Sequence, residues 1–376
     1  MDNPLKGIFS NISLFKSSGT SEHALGIDVG SSSIKVVEIK KKGGKAALET
    51  YGVISLGPYA DEDMGKVTNL PVEKVAEAIQ EVLKQSGTTT NSVGVSIPVQ
   101  SSLIFNITLP QQVSESELRS IVPLEARKYI PVPITEVTLD YFLLPSKEPS
   151  FEEANNPETP SAAPASKEVL AVAIQNDAIS KYRSLVSQCG LQAGFFELEI
   201  FSSLRANLEH ELSLVLLVDF GASHTRLSLI EFGMLKAYHT VNRGGAAITE
   251  AIAESLSIPF AKAEEMKKEY GLFENPAEKK LAGIINTHLD YIFSETNNML
   301  FGFEKKYGKT PGKVIFSGGG SMLKGLLEAA SGNFKAEVEI GRPFSKVGSP
   351  VFLEKVLQAT GPEFAVALGL ALRKLQ

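Results

Sequence analysis

The sequence holds a single cysteine, Cys189, so no internal disulfide can form, which fits a reducing compartment. That cysteine falls in a helix-like stretch with Ile179, Tyr182, Leu185 and Val186 and reads as a buried structural thiol rather than a nucleophile. Excess positive charge is also lacking. The formal net charge of −6 offers no electrostatic case for nucleic acid as a partner. The one basic run, Lys40-Lys41-Lys42-Gly43-Gly44-Lys45, reads as a solvated hairpin turn. No apolar run approaches the roughly twenty residues of a membrane span. Residues 1–23, with Leu5, Ile8, Phe9, Ile12, Leu14 and Phe15 among lysines, hint at a short amphipathic helix or a loosely ordered tail. They lack the continuous apolar core of a signal peptide.

What remains is an ordinary globular composition, 43% hydrophobic and 21% charged, over 376 residues, enough for two domains or more. Its organising feature is Leu25-Gly26-Ile27-Asp28-Val29-Gly30-Ser31-Ser32-Ser33-Ile34-Lys35, an apolar strand, an Asp, a turn of small residues and a second strand. The second half repeats it as Leu216-Leu217-Val218-Asp219-Phe220-Gly221-Ala222-Ser223-His224-Thr225-Arg226. A turn without bulky side chains can aim backbone N–H groups at an anion. A carboxylate at the strand end adds a hard oxygen ligand suited to magnesium or its waters. Two such hairpins facing each other would grip a phosphate tail from both sides.

Each hairpin opens the same plan. Ala46–Leu56 completes a first three-strand meander, and Pro71–Ser86 is a helix with Val72, Val75, Ala76, Ile79, Val82 and Leu83 on one face. Val93–Ile97 returns to strand. The texture then changes. Leu103, Phe105, Ile107 and Leu109 alternate with polar or outward positions, and Ser114 and Glu117 form a capping box opening a helix towards Tyr129. Glu136–Leu144 and Glu168–Ile174 read as strands and Asp177–Gln188 as a helix; Ser146–Lys167, rich in Pro, Ala, Ser and Glu, reads as a mobile loop or linker. Residues 101–192 are thus an inserted α+β subdomain. The second meander is Leu214–Asp219, Thr225–Glu231 and Met234–Thr240. Helices follow at Gly245–Ser255, Ala261–Tyr270 and Ala277–Tyr307, then a strand Lys313–Ser317, a Gly318-Gly319-Gly320 turn and a helix from Ser321. Glu363–Leu375 is a closing helix, and Phe196–Phe201 reads as the start of a connecting helix.

The two Asp-x-Gly hairpins, the strand-Gly-Gly-Gly segment Val314–Gly325 and the small-residue helix Gly361–Ala371, in this order, resemble the actin-like ATPase superfamily. That resemblance implies an α/β actin-like fold, two duplicated lobes around a nucleotide cleft. Over residues 24–376 the chain is most similar to the PilM family of type IV pilus assembly proteins, relatives of the division protein FtsA. The similarity includes Glu125–Pro131, Arg243–Glu250 and Ala263–Gly271. It implies a subdomain 1A over 24–100 with 193–210 and 361–376, and the inserted subdomain 1C of FtsA and PilM over 101–192. It also implies 2A over 211–250 and 308–360, and 2B over 251–307. An amphipathic membrane helix after the last core helix, as FtsA carries, is not seen before Gln376, which weighs against FtsA itself.

Carried over residue by residue, the resemblance implies ATP and magnesium as ligands, with Asp28 and Asp219 facing the metal through water. Gly30, Ser31, Ser32, Ser33 and Lys35 would hold phosphates on one side, Gly221, Ser223 and Thr225 on the other. His224 stands where a small or hydroxyl residue is usual and otherwise reads as a surface side chain. Gly244 and Gly245 open a helix whose N-terminus suits an anion. Glu264 and Lys267 match the pair that holds ribose and base; Glu265 and Lys268 offer the same spacing, and an exposed ion pair is the plain alternative. Gly318, Gly319 and Ser321 would lie against adenine. Glu199, with Glu197 as runner-up, is the candidate to position a hydrolytic water.

The implied function is an ATP-binding cytoplasmic component of the pilus inner-membrane platform, with ATPase activity weak or absent. Its implied partners are the cytoplasmic N-terminal tail of the membrane protein PilN and other platform proteins, with no nucleic acid. The tail would lie in a groove between the first core subdomain and the inserted one, with candidate residues from the strand Leu103–Leu109 and the helix Leu118–Tyr129. An FtsA-like filament former, a small-molecule kinase of the same superfamily and a nucleotide-free scaffold are the competing readings.

Overall fold

The computed structural model describes residues 22–144, 166–209, 213–273 and 279–375. They form two compact units, one of Pro98–Ser180 and a larger one of the described residues up to Ile97 and from Lys181 onwards. No helix among the described residues is long and apolar enough to cross a membrane. Residues 1–21, most of the 146–167 loop and the residues around Ala277 lie outside the described residues.

In the larger unit, β1 (His23–Val29), β2 (Ser33–Lys42) and β3 (Lys45–Ser55) are an antiparallel meander. Helix α1 (Val72–Ser86) buries Val75, Ala76, Ile79 and Val82, and Gly87 ends it in the left-handed conformation that glycine adopts without cost. The chain then returns as β4 (Ser92–Ile97), parallel to β1. With a sheet neighbour on each side and its side chains buried, β1 reads as a nearly continuous apolar run.

The smaller unit, taken by itself, is a three-stranded antiparallel sheet, β5 (Ser102–Pro110), β6 (Val137–Leu143) and β7 (Ser166–Gln175), ordered β5-β7-β6. Helix α2 (Glu115–Ala126) packs on it through Leu118, Val122 and Ala126, opened by the Ser114–Glu117 capping box. The expected alternation along β5 holds only at its end: Ile107 and Leu109 are buried while Leu103 is exposed. The helix stops at Ala126, short of Tyr129. There the chain tightens, Lys128 and Tyr129 donating to Glu125 and Ala126, ahead of two prolines. Tyr129 stacks on Phe105 instead, ring centroids 4.9 Å apart. Helix α3 (Asn176–Gln188) leads onward.

Phe196, Glu197 and Leu198 belong not to a helix but to β8 (Gln192–Leu198), which pairs in parallel with β4. A short apolar run looks alike as strand or helix, and only a partner strand decides. Helix α4 (Glu199–Asn207) begins immediately after it.

The second half builds the same sheet again from β9 (Val215–Phe220), β10 (Thr225–Glu231), β11 (Met234–Val241), β12 (Lys313–Ser317) and β13 (Glu337–Ile340). The strand orders β3-β2-β1-β4-β8 and β11-β10-β9-β12-β13 are identical in plan, two antiparallel neighbours and then two parallel ones. Helices α5 (Gly245–Leu256), α6 (Phe260–Tyr270) and the long α7 (Lys279–Tyr307) pack around the second sheet, with Ile248, Ile252, Ile285, Leu289 and Phe293 in its core. After Ser317 the chain makes a tight turn over Gly319–Met322, and the helix expected from Ser321 starts only as α8 (Leu326–Asn333). Helix α9 (Glu354–Thr360), a tight turn and α10 (Ala365–Leu375) end the described chain.

Helix α10 explains its own small residues. A Cβ on Gly369 would sit 1.9 Å from the Ser202 carbonyl of α4, and one on Gly26 of β1 would sit 1.9 Å from the Ala367 carbonyl. Backbones therefore touch on two sides of this helix. Charge joins the same elements: Arg205 of α4 grips Glu197 of β8 with two N–H bonds of 2.7 and 2.8 Å, and Arg373 of α10 adds a third of 2.5 Å. Ser202 also donates to Glu197, and Arg205 reaches the Gly369 carbonyl at 3.0 Å.

Burial alone would push the Glu197 carboxyl up, but the two guanidiniums prevail and hold it at about 2, below its ordinary 4.5. Its stabilisation is therefore complete above the unfolded value and lost as pH falls from about 4.5 towards 2. Chemical denaturation of Glu197→Gln should show a stability roughly 3–5 kcal/mol lower at neutral pH, since two buried guanidiniums lose their anion. The variant's stability should also fall less steeply across that acid window. Parallel pH curves for variant and wild type would contradict this account.

Candidate functional site

Asp28 and Asp219 stand near the carboxyl ends of the central strands of their sheets, each strand with an antiparallel neighbour on one side and a parallel one on the other. In open α/β sheets such switch points are where ligands bind. Each strand leads into a turn closed in the same way: Gly30 N–H donates to Ser33 O at 3.1 Å and Gly221 N–H to His224 O at 3.0 Å. The two turns meet, Ser31 Oγ donating to Ser223 Oγ at 3.0 Å. Between the lobes lies a cavity of about 700 Å³.

Most of the expected residues line this cavity. Asp28, Gly30, Ser31, Ser32, Ser33 and Lys35 come from the first hairpin, Asp219, Gly221 and Ser223 from the second. Gly245, Glu264, Lys267, Gly318, Gly319 and Glu199 complete the set. Ser96 of β4 orients Asp28, donating to its Oδ1 at 2.9 Å. Thr68 N–H donates to the Ser31 carbonyl at 2.9 Å and fixes the first turn from outside.

Other expected residues are brought close but not to the wall. Thr225 is fully buried behind its turn, its Oγ1 donating to the Arg243 carbonyl at 2.8 Å. Gly244 presses on the second turn, where a Cβ would lie 2.4 Å from Ala222 O. The next two N–H groups, of Gly245 and Ala246, are spent on Gly221 O and Ala222 O, each at 2.9 Å. The helix start thus holds the second Asp-x-Gly turn rather than facing the cavity with all its donors. Ser321 Oγ donates to Gly318 O at 2.7 Å and locks the glycine turn from behind. Gly318, at φ 80, passes so near Asp219 that a Cβ would sit 2.5 Å from its Oδ1.

Glu264 and Lys267 are not an exposed ion pair. Lys267 Nζ donates to Glu264 Oε2 at 2.6 Å, to Thr249 Oγ1 at 2.7 Å and to Gly245 O at 2.9 Å, which uses its three donors. The lysine so fastens α6 to the first turn of α5. Burial would raise the Glu264 carboxyl, yet Lys267 and Thr249 hold it below its usual range. Of the alternative pair, Lys268 reaches the same Glu264 carboxylate at Oε1, 3.1 Å, whereas Glu265 pairs with exposed Lys262.

His224 is also more than a surface side chain. Its Nδ1 lies 2.6 Å from Ser223 Oγ, and burial, with Arg226 nearby, draws its pKa down. Glu197 faces away from the cavity in the ion cluster described above, so of the two carboxylates only Glu199 reaches the site.

The sequence reading overlooked Arg226. Its Nη2 bonds Glu199 Oε1 at 2.8 Å, and its Nη1 lies 3.5 Å from Asp219 Oδ2. Burial drives the Asp219 carboxyl up, and the neighbouring Asp28 adds to this, while Arg226 and Lys35 oppose it. Arg226 stands opposite Asp219 in register just as Lys35 stands opposite Asp28. The internal repeat was the signal that could have found it. Glu363 was missed too; burial raises its carboxyl against the pull of Lys35 and Lys268.

Among the described residues no three His, Cys, Asp or Glu side chains are grouped to hold a metal. Two carboxylates on one cavity nevertheless suit magnesium, which keeps most of its waters and is bound by one or two carboxylates together with phosphates.

A sequence model for "Type IV pilus assembly protein PilM" matches residues 26–375. The structure resembles a chain of the PilM-PilN type IV pilus biogenesis complex with a TM-score of 0.77 and 28% identity, over 95% of this chain and 100% of that one. It also resembles the ethanolamine utilization protein EutJ from Carboxydothermus hydrogenoformans, at a TM-score of 0.52 and 15% identity over 99% of each chain. Among curated proteins, the cell division protein FtsA of Pseudomonas aeruginosa is 23% identical over 370 residues, 90% of this chain and 87% of that protein. FtsA of Neisseria meningitidis is 27% identical over 218 residues, 51% of each chain. The fold is that of the actin-like ATPases, and the chain belongs to the PilM family of type IV pilus assembly proteins.

Proposed function

We propose that this protein binds ATP with magnesium between its lobes. It serves the pilus inner-membrane platform by holding the cytoplasmic N-terminal tail of PilN, and it has other platform proteins as neighbours. The observation that carries the nucleotide reading is the meeting of two identically closed Asp-x-Gly turns on one cavity. Membership of the family carries the pilus role, and the likeness to a chain of the PilM-PilN complex supports the partner. In this reading the protein works on the cytoplasmic side and reaches the membrane through PilN.

Backbone N–H groups and hydroxyls of Ser31, Ser32, Ser33 and Ser223 would receive phosphate oxygens, and the Lys35 ammonium would face them. Asp28 and Asp219 would hold magnesium through its water shell. When bound, that ion neutralises phosphate charge. Glu199 stands where a carboxylate can orient water, but its pairing with Arg226 at 2.8 Å restrains it, which suits slow turnover and a ligand used for switching. For the tail, Leu103 of β5 and Leu124 and Tyr129 at α2 leave apolar surface exposed in the smaller unit, suited to the anchors of a docked peptide.

Calorimetry with ATP and magnesium should give a one-site isotherm for the wild type and one weaker by roughly three- to tenfold for Asp28→Ala, because the carboxylate that steadies the hydrated ion is gone. A flat wild-type titration would end the nucleotide reading. Titration of a synthetic PilN N-terminal peptide should weaken by about tenfold or more for Leu124→Asp, which puts a charge on the apolar contact. An unchanged affinity would move the docking face elsewhere.

A further inference from the structure

Arg226 sits where its charge must serve more than local pairing. It projects from β10 beneath the second phosphate turn, where a Cβ on Gly221 would lie 3.6 Å from its Nη1. Among the described residues its one close ion pair is with Glu199 at 2.8 Å, the approach to Asp219 is longer at 3.5 Å, and its buried Nε has no hydrogen-bond partner there. The side chain reaches the cavity wall. The floor there holds three carboxylates, Asp28, Asp219 and Glu199, against Lys35 and Arg226. A polyphosphate entering such a floor meets repulsion that a divalent cation ordinarily cancels. A guanidinium is always charged, is held by the fold, and has a planar fork matched to phosphate oxygens.

We propose that Arg226 is the resident cation of this site, donating to the terminal phosphate oxygens and making retention of a nucleoside triphosphate only weakly dependent on divalent metal. The proposal rests on the nucleotide reading above and concerns which charge does the holding. Asp219 and Glu199 keep the guanidinium aimed at the second turn, while Asp28, with Asp219, remains for a hydrated metal and Lys35 faces phosphate from the first hairpin.

The test measures affinity of the full chain for ATP in magnesium buffer and in EDTA, for wild type, Arg226→Gln and Arg226→Lys. Removing magnesium should weaken the wild type by less than about tenfold and Arg226→Gln by about a hundredfold or more, since the variant depends on the metal alone. Arg226→Lys keeps the charge but loses the fork and should fall between them, which also covers a Gln variant that fails to fold. A purely structural role would weaken binding by the same factor in both buffers. Equal magnesium-to-EDTA ratios for wild type and variants, or a hundredfold loss in the wild type, would overturn the proposal while leaving the nucleotide reading intact. No binding by the wild type in either buffer would overturn both.

Discussion

Three carboxylates drawn to the floor of one cleft impose the constraint that the rest of this structure answers. Asp28 and Asp219 face a common cavity with Glu199 beside them, and Asp219 is driven towards protonation by its burial and by Asp28. Like charges in a half-dry cleft repel strongly, so the arrangement persists only because cations stand opposite in register: Lys35 across from Asp28, Arg226 across from Asp219. The duplicated hairpin carries its own neutralisation. Each half brings an acid, a turn of small residues and a base in one antiparallel pair.

A second layer of charge lies behind the first and has a different task. Glu197, Arg205 and Arg373 pair with one another in the interior, and they tie β8, α4 and α10 at the point where Gly369 lets two backbones touch. Neighbouring carboxylates, one residue apart from Glu197 to Glu199, are separated by the strand-to-helix junction at Leu198. One is given to the scaffold and the other to the cleft. Lys267 works in the same scaffolding sense, spending its donors inside the second lobe to join two helices beside the cavity.

The family places this chain among type IV pilus assembly proteins, and its sequence is also similar to the division protein FtsA at low identity. In this chain the second turn is closed as the first is, Gly221 N–H to His224 O, while Arg226 and His224 set the charge beside it.

The order of strands and helices, the repeat and the two acidic turns were legible in the sequence because each is a local pattern: apolar runs, 3.6-residue stripes, a capping box, small residues at a bend. Most of the residues expected at the cavity line it, those of both turns among them. What the sequence left undecided depended on partners distant in the chain. The run from Phe196 to Leu198 became a strand because β4 lay beside it, and Thr225 turned inward because the Arg243 carbonyl was there to receive it. Glu264 and Lys267 became a half-buried clasp through Thr249 and Gly245, and Gly320 lies against the ring of Phe220 in the turn ahead of α8. Local chemistry set which groups were available; which of them face the cleft and which hold the walls was decided by packing and by the need to pair every buried charge.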